Sequence, residues 1–309
     1  MAKTKSRTEK DMRNPSKFQV FCRRNFGFVF ILVWLIGFLV FRLYPFISSL
    51  VYSFSDFHLF KGISEWGLMN YQEIFESDKI MKSLGVTFAY SFMTVPLKLA
   101  FALFIAYILN YKIKGVNFFR TAYYIPSILG GSVAIAVLWK ALFRDEGVIN
   151  AIIRAFGGEG INWLADPDYA LFIISLLRVW QFGSAMVLFL AALKGVSVEL
   201  YEAATIDGAS KARQFFSITL PLITPVVFYN LVTQLCQAFQ EFNGPYIITQ
   251  GGPRDATTLF SLLIYRRAFQ LNEMGMASAM AWVLFIIVMT LSVIAFVSQK
   301  YWVYYGDEK

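Results

Sequence analysis

Polar side chains recur at helical spacing inside segments of this sequence that are otherwise apolar. Asn230, Gln234, Gln237 and Glu241 follow one another by four, three and four residues, which places them on one face of a helix. Amide and carboxylate groups in such a row can hold a polar solute through hydrogen bonds. Polar side chains also join helices to each other in membranes, so the row has a purely structural alternative.

Two further groups have the same character. Arg178 and Gln181 are three residues apart, and Ala185 continues their face of the helix. Ser127 and Gly131 are four residues apart in an earlier apolar segment. Side chains that donate and accept hydrogen bonds, together with the aromatic faces of Trp180, Phe182 and Phe239, are the groups that carbohydrates require.

The charges inside the apolar segments are mostly positive. Arg178 is roughly 12 Å and Glu241 roughly 10 Å from the outer ends of their segments at helical rise, so an ion pair between them is geometrically feasible. Arg42 and Lys98 are the other cations, and Lys98 either extends toward the membrane surface or lies near mid-bilayer. Three cations against Glu241 favour an acidic solute as an alternative to the ion pair.

Residue types needed for covalent or metal chemistry do not cluster in the sequence. His58 is the single histidine and has no neighbouring cysteine, while Cys22 and Cys236 are far apart. The apolar segments contain no histidine pair, aspartate pair or cysteine–histidine set, which argues against an intramembrane enzyme. The phosphate-binding pattern Gly-x-x-x-x-Gly-Lys-Ser/Thr does not occur, so the chain is not expected to hydrolyse ATP.

Composition indicates which elements position these side chains. The chain has 309 residues, of which 57% are hydrophobic and 16% charged, and the apolar residues form blocks long enough to cross a bilayer. Periodicity and length predict an all-α membrane protein with six spans. The predicted spans are 26–54, 84–110, 122–143, 170–193, 222–248 and 277–297.

The connecting segments alternate in charge. Residues 1–25, 111–121 and 194–221 are rich in lysine and arginine, whereas residues 55–83 and 144–169 are richer in acids. Because basic connections stay on the cytoplasmic side, both termini are predicted to be cytoplasmic, in a bacterial inner membrane. The net charge of +8 then reflects orientation rather than nucleic-acid binding.

This pattern divides the chain into three parts. Residues 1–25 form a basic tail, 26–300 a six-span domain, and 301–309 a C-terminal tail. The first apolar block is predicted to be a retained span, because it is too long for a signal peptide and no small-x-small cleavage site follows it.

The connection 197–221 is predicted to be a helical pair that projects from the membrane. Ser197 is a suitable N-cap, and Glu199 and Glu202 lie near the positive end of the first helix. Gly208 allows a left-handed stop before a second short helix that leads to Pro221. Such a pair presents a firm surface to another molecule, although an ordinary connection is the alternative.

This connection resembles the EAA loop of ABC-importer membrane subunits. Glu202-Ala203-Ala204, Gly208, Ile218 and Leu220-Pro221 fill the pattern at its spacing. Other stretches are similar to the maltose-transporter branch of that family, and the likeness extends from about residue 27 over nearly the whole chain. Those stretches are Leu43-Tyr44-Pro45, Phe119-Arg120 with Pro126, Ala191-Ala192-Leu193 and Thr249-Gln250-Gly251-Gly252-Pro253.

The resemblance implies a type I ABC importer permease for carbohydrates, with oligosaccharides as the expected cargo. An ion-coupled secondary transporter is the alternative function. The partners that the resemblance implies are a second permease subunit, two ATPase subunits that bind ATP and Mg, an extracytoplasmic solute-binding protein and membrane lipid. The implied ATPase-coupling residues are Glu202, Ala203, Ala204, Asp207, Gly208, Ile218, Leu220 and Pro221. The implied substrate-binding residues are Ser127, Gly131, Arg178, Gln181, Phe182, Ala185, Gln234, Gln237, Ala238 and Glu241.

Overall fold

A computed structural model describes residues 26–111 and 114–306, with side chains described from residue 31 onward. Regular structure in these residues is helical, accompanied by isolated β-bridges such as Ser55 with Trp66. The predicted basic tail 1–25, Lys112 and residues 307–309 lie outside the described residues.

Six spans can be traced if each bent pair of helices is one span, as the sequence predicts. Four helices are long and apolar enough to cross a membrane: Ile31–Ser53, Asp78–Asn110, Lys211–Phe239 and Met274–Trp302. The third span pairs Val116–Leu129 with Val133–Leu142 at a bend of 103°, and the fourth pairs Pro167–Trp180 with Gly183–Gly195 at 46°. Shorter helices connect the spans: Met69–Glu76, Val148–Ala155, Val198–Ile206 and Phe260–Tyr265.

The continuous third span predicted over 122–143 is wrong. Its two helices are separated by Gly130, Gly131 and Ser132, and the Ser132 hydroxyl accepts a hydrogen bond from the amide of Ala134 at 3.2 Å. A serine N-cap starts a new helix, and the preceding glycines leave the backbone free to turn. Because the residues on both sides of the break are apolar, the hydropathy of the sequence does not reveal where the helix is interrupted.

The bounds predicted for the fifth span, 222–248, are also wrong. The helix starts at Lys211, passes through a π-helical turn at Phe215–Thr219, and ends at Phe239. A separate π-helical turn follows at Pro245–Thr249. The residues between the two segments, 240–244, are mostly polar, and Pro245 lies in the first turn of the second segment, where its missing amide proton is not needed.

The second span lies at the centre of the bundle. Its Val95, Ala102 and Ala106 pack into one buried cluster with Met186 of the fourth span and Ile223 of the fifth. Alanines at the contact allow the helix backbones to approach closely. The spans that contain the candidate polar residues are therefore held against one common helix.

The first and sixth spans form a second contact. Trp282 donates a hydrogen bond from Nε1 to the Ser49 hydroxyl at 3.2 Å and packs against Phe46, with ring centroids 4.8 Å apart. In contrast, Trp34 and Phe41 are exposed on the outside of the bundle, as expected for side chains that face lipid.

Hydrogen bonds organise the connections at the end of the bundle opposite the 197–221 loop. The buried Asn150 donates to the carbonyl groups of Asp145 and Ile161 and accepts from the indole of Trp163. In the connection after the first span, the backbone amides of Glu65 and Ser64 donate to the carboxylate of Asp56 and lower its pKa. Both connections are thereby ordered without regular strands.

Candidate solute cavity and projecting loop

Arg178 connects the fourth span to the end of the fifth. One terminal nitrogen of its guanidinium donates to Gln181 Oε1 at 3.1 Å, and the other donates to Gln237 Oε1 at 2.6 Å. Its Nε lies 3.8 Å from Oε2 of Glu241. The ion pair that the matching depths allow is therefore present, although its 3.8 Å separation is long compared with the hydrogen bonds beside it.

Glu241 is in the connection after the helix rather than on its face. The helix ends at Phe239, so the predicted helical row holds only as far as Gln237. The Glu241 carboxylate accepts a hydrogen bond from the amide of Gly244 at 3.1 Å. Glu241 therefore approaches Arg178 from this turn and not from the helix face, although the two side chains are close together as the sequence allows.

A small cavity of about 50 Å³ lies beside this ion pair. Its walls come from the second, third and fourth spans and from the turn after the fifth. The lining residues are Tyr90, Gly130, Gly131, Ser132, Ala136, Ile174, Leu177, Arg178, Gln181, Glu241, Asn243 and Gly244. A second, more open cavity of about 290 Å³ includes Gln237 and shares Arg178, Glu241 and Asn243 with the first.

The break in the third span contributes backbone to the cavity. Gln181 donates from Nε2 to the carbonyl of Gly130 at 3.1 Å, and a Cβ at Gly130 would collide with the Gln181 side chain. The Ser127 hydroxyl donates to the Gln181 carbonyl at 3.1 Å and accepts from the amide of Ser184 at 3.0 Å. Ser127 thus joins two spans, whereas Gly131 lies open to the cavity.

Three of the predicted substrate residues lie in the core instead. Phe182, Ala185 and Ala238 are buried in the cluster around the second span. The Phe182 ring packs edge-on against Phe101, with centroids 4.8 Å apart. In this conformation these three side chains do not line the cavity, and the aromatic face expected from Phe182 is occupied by protein.

Gln234 also faces the interior. Its Oε1 accepts a hydrogen bond from Nζ of Lys98 at 2.7 Å, and both side chains are buried. Of the two alternatives for Lys98, the structure has the interior one, because its amine has a buried amide partner within the bundle. Asn230 donates to the Val226 carbonyl of its own helix at 3.0 Å.

Sequence reasoning missed Tyr90, Asn243 and Gly244 as residues of the cavity. A signal for Tyr90 was present, because Ser83, Thr87, Tyr90, Thr94 and Lys98 follow one another by four, three, four and four residues. This polar row in the second span has the same periodicity as the one in the fifth. Asn243 and Gly244 had no comparable signal, since they follow the end of a helix that the sequence placed later.

The first helix and the turn of the 197–221 loop are as the sequence predicts, whereas the predicted second short helix is the beginning of the fifth-span helix at Lys211. The first helix of the loop is Val198–Ile206, and the Ser197 hydroxyl accepts from the amide of Glu199 at 3.3 Å. Gly208 has φ of +77°, the left-handed conformation that favours glycine. Gln214 then donates to the Thr205 hydroxyl at 3.0 Å and fixes the second part of the loop on the first.

The loop presents apolar groups away from the bundle. Ile206 is 87% and Phe216 66% exposed, so the loop carries large apolar side chains that the bundle does not cover. Of the predicted coupling residues, Glu202, Ala203, Asp207 and Gly208 are exposed, and Ala204, Ile218, Leu220 and Pro221 are half-buried. An exposed, internally braced loop with apolar tips is typical of a docking surface.

Comparison with known proteins gives relatives along most of the chain. The profile of the family described as "Binding-protein-dependent transport system inner membrane component" matches residues 77–303. The probable ABC transporter permease protein YesP of Bacillus subtilis is 48% identical over 287 residues, covering 92% of this chain and 93% of YesP. The multiple sugar-binding transport system permease protein MsmF of Streptococcus mutans is 32% identical over 276 residues, covering 88% and 94%.

A solved structure has the same fold. A chain of a bacterial ABC transporter involved in import of the acidic polysaccharide alginate superposes with a TM-score of 0.77. The alignment covers 92% of this chain and 99% of that one at 22% sequence identity. At this identity the likeness concerns the arrangement of the helices.

Proposed function

The chain belongs to the family of binding-protein-dependent transport system inner membrane components, the permease subunits of ABC importers, and we propose that its cargo is a carbohydrate. The observation that carries this proposal is the pair of adjoining cavities, of about 50 and 290 Å³, that share Arg178, Glu241 and Asn243 within an otherwise apolar bundle. Hydrogen-bonding groups inside a membrane segment mark a solute pathway by default. Relatives such as MsmF, which is named for sugars, support the cargo class.

The cavity offers the groups that a hydroxylated solute needs. Gln181, Gln237 and Asn243 supply amides, and Arg178 and Glu241 supply one charge of each sign. Arg178 has five N–H groups, of which two are used in its bonds to Gln181 and Gln237. The remaining donors can bind a sugar hydroxyl or a uronate carboxylate, so neutral and acidic oligosaccharides are both candidates.

We further propose that the 197–221 loop docks on a separate ATPase subunit in the cytoplasm. The exposed Ile206 and Phe216 supply apolar contact area, and Gly208 sets the turn between the two parts of the loop. ATP and Mg would be bound by that partner, and two such ATPases would serve this chain and a second permease subunit. An external solute-binding protein would deliver the cargo, in keeping with the family description. Membership of this family favours ATP-driven import over the ion-coupled transporter left open by the sequence.

Reconstituted transport tests the proposal. The chain would be co-purified with its cognate second permease and ATPase subunits and placed in proteoliposomes with their binding protein. We expect ATP-dependent uptake of at least one oligosaccharide from a panel of neutral and uronate-containing sugars, unchanged when ionophores dissipate ion gradients. Amino acids and peptides are the matched non-carbohydrate panel. Uptake confined to that second panel, or abolished by ionophores, would contradict the assignment.

A further inference from the structure

We infer that the hydroxyl of Tyr90, contributed by the second span, binds an oxygen of the transported sugar in the cavity beside Arg178 and Glu241. This inference rests on the proposed function and adds a residue and a span to its binding surface. Tyr90 is 0% exposed to bulk solvent and is one of the residues that line the cavity.

The Tyr90 hydroxyl is buried and makes no hydrogen bond of standard geometry among the described residues, although the Thr94 side chain one turn away is close enough to interact with it. A buried hydroxyl without a partner destabilises a protein, because it loses its bonds to water and gains none in return. A phenylalanine would fill the same volume without this cost. The unsatisfied oxygen therefore indicates a partner that is present during function, and the cavity is where that partner can reach it.

The surroundings of Tyr90 define the chemistry of the partner. A phenol both donates and accepts a hydrogen bond, and Arg178 still has free N–H groups on the same cavity. A sugar presents adjacent oxygens, so one can bind the guanidinium while another binds Tyr90. Either a ring hydroxyl or a uronate carboxylate meets these requirements.

A neighbouring residue separates this role from helix packing. Ser91 is also fully buried, and its hydroxyl likewise lacks a hydrogen-bond partner among the described residues, but Ser91 does not line the cavity. If unsatisfied hydroxyls in this span served only to join helices in the assembled transporter, removal of either oxygen would have similar effects. If Tyr90 binds cargo, only its oxygen matters for affinity.

The test compares Tyr90→Phe with the matched control Ser91→Ala, each of which removes one buried oxygen. For Tyr90→Phe we expect complex yield and Tm at or above wild type, an unchanged maximal rate, and a KM for the sugar raised about tenfold, as for one lost hydrogen bond. Ser91→Ala should keep the wild-type KM. A wild-type KM in Tyr90→Phe, or equal changes in both variants, would overturn the inference.

The wild-type protein in the same assay reads out the proposed function separately. Absence of any carbohydrate uptake by wild type would refute the cargo class, whereas wild-type uptake with an unaffected Tyr90→Phe variant would refute only the role of Tyr90. Comparing the effect of Tyr90→Phe on neutral and uronate sugars of equal length identifies which sugar oxygen binds Tyr90. A larger loss for the uronate assigns it to the carboxylate, and an equal loss assigns it to a hydroxyl.

Discussion

At the scale of single residues, the contributions of Arg178 and Glu241 to the stability of the complex should depend on each other. Their side chains are 22% and 15% exposed, so each charge is largely removed from water. Arg178→Ala and Glu241→Ala should each lower complex yield and Tm, because the remaining charge loses its opposite partner. The double variant should recover much of the loss, which a double-mutant cycle of thermal unfolding measures. Strictly additive losses would show that the two side chains act independently.

Gln234 and Lys98 provide a second prediction at this scale, in which the single variant is destabilised and the double variant is not. Gln234→Leu removes the acceptor for the buried Lys98 Nζ and should cost about 1.5–3 kcal/mol, the range for a hydrogen bond to a charged group. Lys98→Met in that background removes the stranded amine and should restore most of the stability. The readout is denaturation of the purified complex in detergent. A Gln234→Leu variant as stable as wild type would exclude a structural role for the pair.

The candidate residues were predictable to different degrees. Arg178, Gln181, Gln237 and Glu241 were identified from the sequence because polar groups are rare and costly inside apolar segments. Phe182 was assigned to the cavity through family resemblance, yet its ring packs against the second span in this conformation. Which face of a helix borders a cavity depends on the packing of its neighbours, and a single sequence does not contain that information.

At the scale of elements, the break in the third span forms one side of the cavity wall. Gly130→Ala should displace the Gln181 side chain, because the added Cβ would occupy its position. We expect lower sugar affinity with assembly retained, since one methyl group is added beside a cavity rather than in the core. Gly85→Ala in the second span is the matched control, as Gly85 does not line the cavity and its Cβ would meet nothing within 4 Å. Equal uptake kinetics in both variants would contradict this account.

The projecting loop gives a prediction of its own about coupling. Gly208 has φ of +77°, which asparagine tolerates and β-branched residues do not. Gly208→Val should leave the protein inserted and assembled but uncouple ATP hydrolysis from transport, whereas Gly208→Asn should remain coupled. ATPase rate and sugar uptake would be measured on the same proteoliposomes. Full transport by Gly208→Val would remove the basis for the docking assignment.

Element bounds were predicted less well than element number. The sequence placed the fifth span at 222–248, but the helix starts at Lys211 and ends at Phe239. Hydropathy averages over windows and does not register where the hydrogen-bond ladder stops. The glycine pair Gly130-Gly131 lies inside an apolar stretch, so the break in the third span left no trace in the hydropathy pattern.

At the scale of the whole molecule, the six-span fold follows from composition because the bilayer imposes helix length and apolar surface. The packing of the spans follows from no such rule. The second span, which the sequence singled out only through Lys98, is the common partner of the fourth and fifth spans. Its polar row was hidden by the high apolar content around it.

Orientation is the whole-molecule property that the charge bias predicts and that labelling can test. Phe156, in the connection between the third and fourth spans, is 90% exposed, and Ile206, in the projecting loop, is 87% exposed. In a background lacking Cys22 and Cys236, Phe156→Cys should react with a membrane-impermeant thiol reagent in intact cells. Ile206→Cys should react only after the membrane is opened, because basic connections are retained in the cytoplasm. The reverse pattern would place the projecting loop outside, where no ATPase could dock on it.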